Sequence, residues 1–195
     1  MSGTEEIATV SEVPPRVKTR VDLGEWLRAN ERLSWWLLAA LALLPRLVYL
    51  FQIHRTPFYQ PSQLDPLYYF NWAREIAAGN WIGDRIFIQS PLYAYLLAFL
   101  LRVLGGHLGL VLLFQVLVGV GTCLLTVRVG RRLFGNEEAW VAGILVAFYG
   151  PFLFYEGMLM KTFLSTFLTV ALLDLLLRSE GKRTRLLLAS GFVFA

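Results

Sequence analysis

The sequence is poor in the side chains from which soluble chemistry is usually built. Its 195 residues hold one cysteine and two histidines, which excludes a disulfide framework and a zinc site made of those ligands. The cysteine, Cys123, lies inside an apolar run and carries no information on redox compartment. Charged residues make up 16% of the chain, against roughly a quarter in a soluble domain. There is no Gly-rich phosphate loop, no histidine cluster and no serine elbow, so a soluble-type nucleotide site is not expected. The net charge of +4 is not a nucleic-acid signal, because the basic residues form short clusters between apolar blocks, as membrane loops do.

What the sequence does have is long apolar runs. Hydrophobic residues reach 56% and mean hydropathy is +0.56. The expected fold is all-α, a polytopic transmembrane helix bundle with amphipathic juxtamembrane helices in a first external loop. Residues 1–33 are expected as a cytoplasmic tail, polar and disordered at first. Residues 21–32 form a short amphipathic helix on the membrane surface, with Leu23, Trp26 and Leu27 on one side. Residues 34–195 form the membrane module. Spans are expected at 35–51, 108–127, 139–155 and 162–177. The run 186–195 opens a further, incomplete span, after which more spans are expected to follow. The first span is short for a hydrocarbon core of about 30 Å. Near its outer end Arg46 is expected to snorkel to the interface, the alternative being a polar cavity inside the bundle.

Charge sets the orientation. Arg16, Lys18, Arg20, Arg28 and Arg32 precede the first span. Arg128, Arg131 and Arg132 separate the second and third, and Arg178, Lys182, Arg183 and Arg185 follow the fourth. The positive-inside rule places all three clusters in the cytoplasm. That is possible only if residues 91–104, PLYAYLLAFLLRVL, do not cross the membrane. This run of about fourteen residues contains Arg102 and is too short for a comfortable span, so a re-entrant or juxtamembrane helix is expected. The outer surface then consists of the external loop 52–107 and a short turn near 156–161.

Within the first loop, Asp65-Pro66 reads as an N-cap followed by proline at the first helical position, and Gly79 as the helix end. Leu67, Phe70, Ala73 and Ala77 give that helix an apolar face. The outer surface has few titratable groups, among them Asp65, Glu75, Asp84, Glu156, His54, His107 and Lys161. It is rich in aromatics: Phe58, Tyr59, Tyr68, Tyr69, Phe70, Trp72, Trp81, Tyr93 and Tyr95. An interfacial belt accounts for many of these. An amphiphilic pocket with carboxylates and cations at a membrane surface also suits a lipid-linked substrate, its tail in the bilayer and its phosphate at the interface.

The order of Asp65, Tyr69, the helix residues Ala73 to Ala77, Gly79-Asn80-Trp81, Ser90-Pro91-Leu92-Tyr93 and Gly130-Arg131-Arg132-Leu133-Phe134-Gly135 resembles the polytopic GT-C glycosyltransferases. Bacterial relatives of protein mannosyltransferases and lipid A aminoarabinose transferases are nearest in pattern, over about residues 44–177. The resemblance implies a glycosyltransferase that moves a sugar from a polyprenyl-phosphate donor to an extracytoplasmic acceptor, inverting, in a bacterial inner membrane. It implies Asp65 as general base. Substrate-binding groups would be Lys161, Glu156, Arg74, Arg85 and Tyr69, with cations available to the leaving phosphate. The family often has a second acid after this aspartate, where this chain has Pro66. Many members carry an acid in the second loop where Lys161 falls, which puts a metal requirement in doubt; no cofactor is certain, and a divalent metal stays open as an alternative. The other implied partners are the lipid bilayer and an acceptor of unknown class, lipid, glycan or protein, with no nucleic acid. The competing class is a non-catalytic transporter or lipid-binding assembly subunit. Spans nearly free of central charge disfavour transport. The 195 residues by themselves are expected to be inactive, since the donor site should draw on later helices.

Overall fold

A computed structural model of the chain describes residues 23–61, 63–82 and 88–179. The tail before Leu23, Asp84 and Arg85 of the first loop, and the block 186–195 lie outside the described residues. Among those described, eight α-helices and one 3-10 turn succeed one another without a strand. They are α1 (Leu23–Ala29), α2 (Glu31–Ile53), the 3-10 turn Pro57–Tyr59, α3 (Leu64–Ala77), α4 (Pro91–Val103), α5 (Leu108–Leu133), α6 (Asn136–Ala147), α7 (Gly150–Glu156) and α8 (Thr162–Ser179). The fold is the helical bundle that the apolar blocks imply.

α2 and α5 are long and apolar enough to cross a membrane, and α6 with α7 make a third candidate if the bent pair is one span. At 1.5 Å per residue α2 is about 34 Å long and α5 about 39 Å, so both exceed the hydrocarbon core. α2 starts earlier and ends later than the expected 35–51, which removes the shortness of that span. α5 packs along α2, α6 and α8 and is the axis of the bundle.

Two expectations about the spans need correction. The block 139–155 is not one straight helix: α6 and α7 meet at a 52° bend. Pro151 is the cause, since it has no N–H to donate back to Ala147. Arg46 does not snorkel. It is 1% exposed, turned into the bundle, and one of its guanidinium nitrogens, Nη1, donates to Ala147 O at 3.0 Å. The carbonyl that Pro151 leaves without a backbone donor is therefore capped by an arginine from another helix.

α1 is also more than a surface helix. Leu27 is buried with Leu38, Val127, Ala139 and Trp140, so α1 docks on one end of the bundle, while Trp26 stays partly exposed. At the other end α3 and α4 pack on each other. Tyr69, Trp72, Ala73 and Ile76 of α3 meet Tyr93, Ala94, Leu97, Ala98 and Leu101 of α4, with Val111 and Leu112 of α5 beneath. The buried face of α3 is thus rotated from the one expected: Ala73 belongs to it, but Leu67, Phe70 and Ala77 lie at its margin. Tyr69 and Trp72 took the centre of the buried arc, while Tyr68 stays exposed. Gly79 ends α3 as expected. Its φ of +108° is open to glycine, and Asn80 N–H returns to Glu75 O at 3.1 Å in the manner of a Schellman closure.

Candidate active site

The polar groups of the α3–α4 end converge on Gln89, the residue just before the Ser90-Pro91 start of α4. Its amide Nε2 donates to Asp65 Oδ1 at 3.4 Å. Its Oε1 accepts from the Tyr69 hydroxyl at 3.3 Å and from Lys161 Nζ at 3.3 Å. Lys161 also donates to Ser90 Oγ at 3.1 Å. This orientation of the amide is the one its neighbours demand, with the donor end toward a carboxylate and the acceptor end toward an ammonium. Asp65, Gln89 and Lys161 are half-buried and Ser90 is exposed, so the cluster is open to a ligand.

Three of the six site residues expected from the sequence are thereby brought together: Asp65, Tyr69 and Lys161. Arg74 is not among them. It lies about 13 Å further along the α3 axis, exposed, with its guanidinium 5.7 Å from the Phe70 ring. Arg85 lies outside the described residues. Glu156 does not solvate a turn, as its place near Lys161 had suggested. It is 4% exposed, and its two carboxylate oxygens face Arg46 Nε at 2.7 Å and Nη2 at 3.1 Å.

Asp65 needs a second correction. It is not the N-cap. Gln63 holds that place, without a side-chain cap bond, and Asp65 falls in the first helical turn. There its charge is favoured by the helix dipole, while its Oδ1 is directed to Gln89. Just before it, Leu64 adopts a left-handed φ of 53°, a conformation costing about 1–2 kcal/mol for a side-chain-bearing residue.

Buried groups hold the cluster from below. Tyr69 stands edge-to-face on Tyr93 with ring centres 4.8 Å apart, and Tyr93 on Phe163 at 5.8 Å. The Tyr93 hydroxyl donates to Gln115 Oε1 at 2.8 Å. Gln115 Nε2 donates to the Glu156 and Met158 carbonyls at 2.9 and 2.8 Å. Gln115, fully buried in α5, therefore pins the turn that carries Lys161 and, through Tyr93, the helix that follows Gln89. Burial, and after it the Asp65 charge, pushes the Tyr69 phenol up to about 12. Tyr69 therefore keeps its proton, and with it its role as a hydrogen-bond donor, at neutral pH. Burial likewise holds Tyr93 well above the usual phenol value.

Sequence reasoning passed over Gln89, Gln115, Tyr93 and Arg46 as parts of this assembly. Gln115 carried a signal: it is an amide inside an apolar run, and such residues seldom face lipid. Gln89 carried none. Among the described residues no three of His, Cys, Asp and Glu come together as a metal site.

The candidate site is thus a carboxylate in the first turn of α3 and an ammonium in the turn between α7 and α8, held by one amide at the end of an apolar helical bundle. The apolar helices define an integral membrane protein, with this polar cluster at one end of its bundle. Residues 89–195, more than half of the chain, match the family of dolichyl-phosphate-mannose-protein mannosyltransferases, and the chain belongs to that GT-C family of membrane glycosyltransferases. No curated protein and no solved structure matches it. The matched segment begins at Gln89 and includes Ser90 and Lys161, whereas Asp65 and Tyr69 precede it.

Proposed function

We propose that the protein transfers a sugar from a polyprenyl-phosphate donor to an acceptor on the extracytoplasmic side, with Asp65 as general base and Lys161 as the cation at the donor phosphate. The observation that carries this reading is the Gln89 bridge. It joins Asp65 and Lys161, from separate segments, without letting them neutralise each other: among the described residues no carboxylate lies within 4 Å of the Lys161 ammonium. In the reaction the acceptor oxygen or nitrogen attacks the anomeric carbon and its proton passes to Asp65. The bond from that carbon to the phosphate oxygen breaks, and the departing polyprenyl phosphate carries the electron pair. A carboxylate within hydrogen-bond reach serves the first event and a fixed cation the last. Tyr69 and Gln89 hold the carboxylate and ammonium in place. The left-handed residue next to Asp65 fits this role, because such strain gathers at functional positions. Arg74, Arg85 and Glu156 have no direct part in this reading; Glu156 supports the turn of Lys161.

The decisive comparison is Asp65→Asn with Asp65→Ala in the full-length protein. Asn keeps an oxygen for Gln89 but takes no proton. Turnover at saturating donor, read as released polyprenyl phosphate, should fall about 10²–10⁴-fold in both variants, with expression and thermal midpoint of the Asn variant unchanged. Near-normal turnover in the Asn variant would remove the base assignment.

The orientation proposed with this function has the N-terminus and all three arginine clusters in the cytoplasm and α4 on the outer side without crossing. Single cysteines at Asn80 and Gly106, in a Cys123→Ser background, should then both react with an impermeant thiol reagent added outside. Labelling of Gly106 only after the membrane is opened would reverse the topology. A transporter reading draws on the bent α6–α7 pair and the buried Arg46, features of kinds that transporters use. Here four of the five Arg46 N–H groups are taken by Glu156 and by the Ala42 and Ala147 carbonyls, so the pair reads as a structural support of the bend rather than as a transport site.

A further inference from the structure

At the end of the bundle opposite Gln89, one buried carboxylate gathers three arginines. Asp174 of α8 is 3% exposed. Arg178 Nη2 is 2.6 Å from its Oδ2. Arg128 Nη2 and Arg132 Nε, both from α5, stand at 3.7 Å, beyond hydrogen-bond reach. The Asp174 oxygens therefore leave most of the N–H groups of these guanidiniums unused, each having about five. The three arginine side chains are 43%, 36% and 38% exposed. Among the described residues three positive charges meet one negative, a local surplus of two. The neighbouring Arg131 adds nothing to it, being paired with Glu31 at 2.5 Å and stacked between Trp35 and Trp140.

The depth of the cluster indicates what it meets. Counted from Leu108, the hydrocarbon core takes up about the first 30 Å of α5, roughly twenty residues. Arg128 and Arg132 follow at the level of lipid headgroups. Leu133 at the end of α5 and Phe134 just after it, and Leu173 and Leu176 beside Asp174 on α8, are exposed and offer acyl chains an apolar surface. We propose that Arg128, Arg132 and Arg178, held together by Asp174, form a binding site for the phosphodiester of an anionic phospholipid. Asp174 spaces the guanidiniums so that two of them present free donors to the phosphate oxygens, a geometry arginine favours. The occupant is a lipid rather than free phosphate because the exposed leucines and phenylalanine flank the same turn.

The test uses the full-length protein, delipidated in a zwitterionic detergent and titrated with phosphatidylglycerol, phosphatidylcholine or inorganic phosphate. Binding is followed by native mass spectrometry and by the shift in thermal midpoint. Phosphatidylglycerol should bind preferentially and stabilise, and phosphatidylcholine and inorganic phosphate should do neither. Arg128→Gln with Arg132→Gln leaves the close Arg178–Asp174 pair intact and should lower phosphatidylglycerol affinity roughly thirtyfold, two basic residues' worth at a membrane surface. If the double variant fails to fold, Arg128→Gln alone should lose about fivefold. Equal binding of the two lipids, an undiminished phosphatidylglycerol preference in the variants, or full stabilisation by inorganic phosphate would overturn the proposal. None of these readouts involves sugar transfer, so the result is independent of the catalytic reading.

Discussion

The protein contains two carboxylate–cation systems that look alike in composition and differ in what is left over. Arg46 and Glu156 lie inside the bundle, a few per cent exposed. Nε and Nη2 of Arg46 take both Glu156 oxygens, and Nη1 takes the Ala42 and Ala147 carbonyls. Four of the five N–H groups that an arginine has are thereby used, and both carboxylate oxygens are engaged by the one guanidinium. Asp65 and Lys161 lie at the mouth of the bundle, half-exposed and separated by the Gln89 amide. Each retains hydrogen-bonding capacity. A saturated pair is architecture: it satisfies the bend at Pro151 and supports the turn that follows. An unsaturated pair held apart can be completed by a ligand, which is the ground for proposing it as the site. The difference follows from dielectric: buried charges without full partners are too costly to keep, whereas charges at an interface can wait for a partner in water.

The largest expected effect belongs to the open pair. Asp65→Asn should cost two to four orders of magnitude in turnover and almost nothing in stability, while no substitution in the closed pair should show that split. Breaking the closed pair should do the reverse. Arg46→Met leaves Glu156 buried and alone, and should destabilise by about 3–5 kcal/mol, measured as loss of thermal midpoint and of folded yield. Arg46→Met combined with Glu156→Leu should recover much of the loss, since buried ion pairs are often replaceable by apolar side chains. A double variant as unstable as the single one would mean that the Ala147 cap, rather than the pairing, carries the stability.

Lys161→Ala sharpens the comparison from the cation's side. Donor affinity should fall roughly tenfold to a hundredfold, the worth of a charge-assisted contact of about 1.5–3 kcal/mol, with acceptor affinity unchanged. An unchanged donor affinity would make Lys161 a partner of Gln89 and Ser90 alone. The smallest effect is expected at Tyr69→Phe. It removes one neutral hydrogen bond to Gln89, worth about 1 kcal/mol, and leaves the edge-to-face contact with Tyr93 in place. Turnover should fall a few-fold without a change in pH profile, because the Tyr69 phenol, at about 12, does not titrate in the working range.

The legible parts of the site were those that carry their own chemical type. An aspartate ahead of an aromatic-rich helix and a lysine in a short outer turn stand out in a sequence with few charges. Their bridge did not stand out, because a glutamine in a loop has no periodicity and no characteristic spacing. Glu156 was misjudged for a related reason. Its position four residues before Met160 in a short turn suggests exposure, and only the approach of Arg46, distant in sequence, makes burial tolerable. Gly119 shows the same dependence: a Cβ there would lie 2.3 Å from the Glu156 carboxyl, so the α5 backbone must be bare where the carboxylate passes.

By itself the sequence determined the membrane class, the places of α4 and α8 to within two residues, the presence of α2 and the start of α5 though not their full lengths, and the end of α3 at Gly79. Those features depend on composition, on run length against the bilayer thickness, and on the local conformational preferences of glycine and proline. Tertiary structure alone decided that Arg46 faces inward, that α6 and α7 part at Pro151 and are rejoined by a guanidinium, and that Asp65, Tyr69 and Lys161 share one amide. Each of these rests on a contact between distant residues, and its energy comes from desolvation and hydrogen-bond geometry that exist only once the helices have packed.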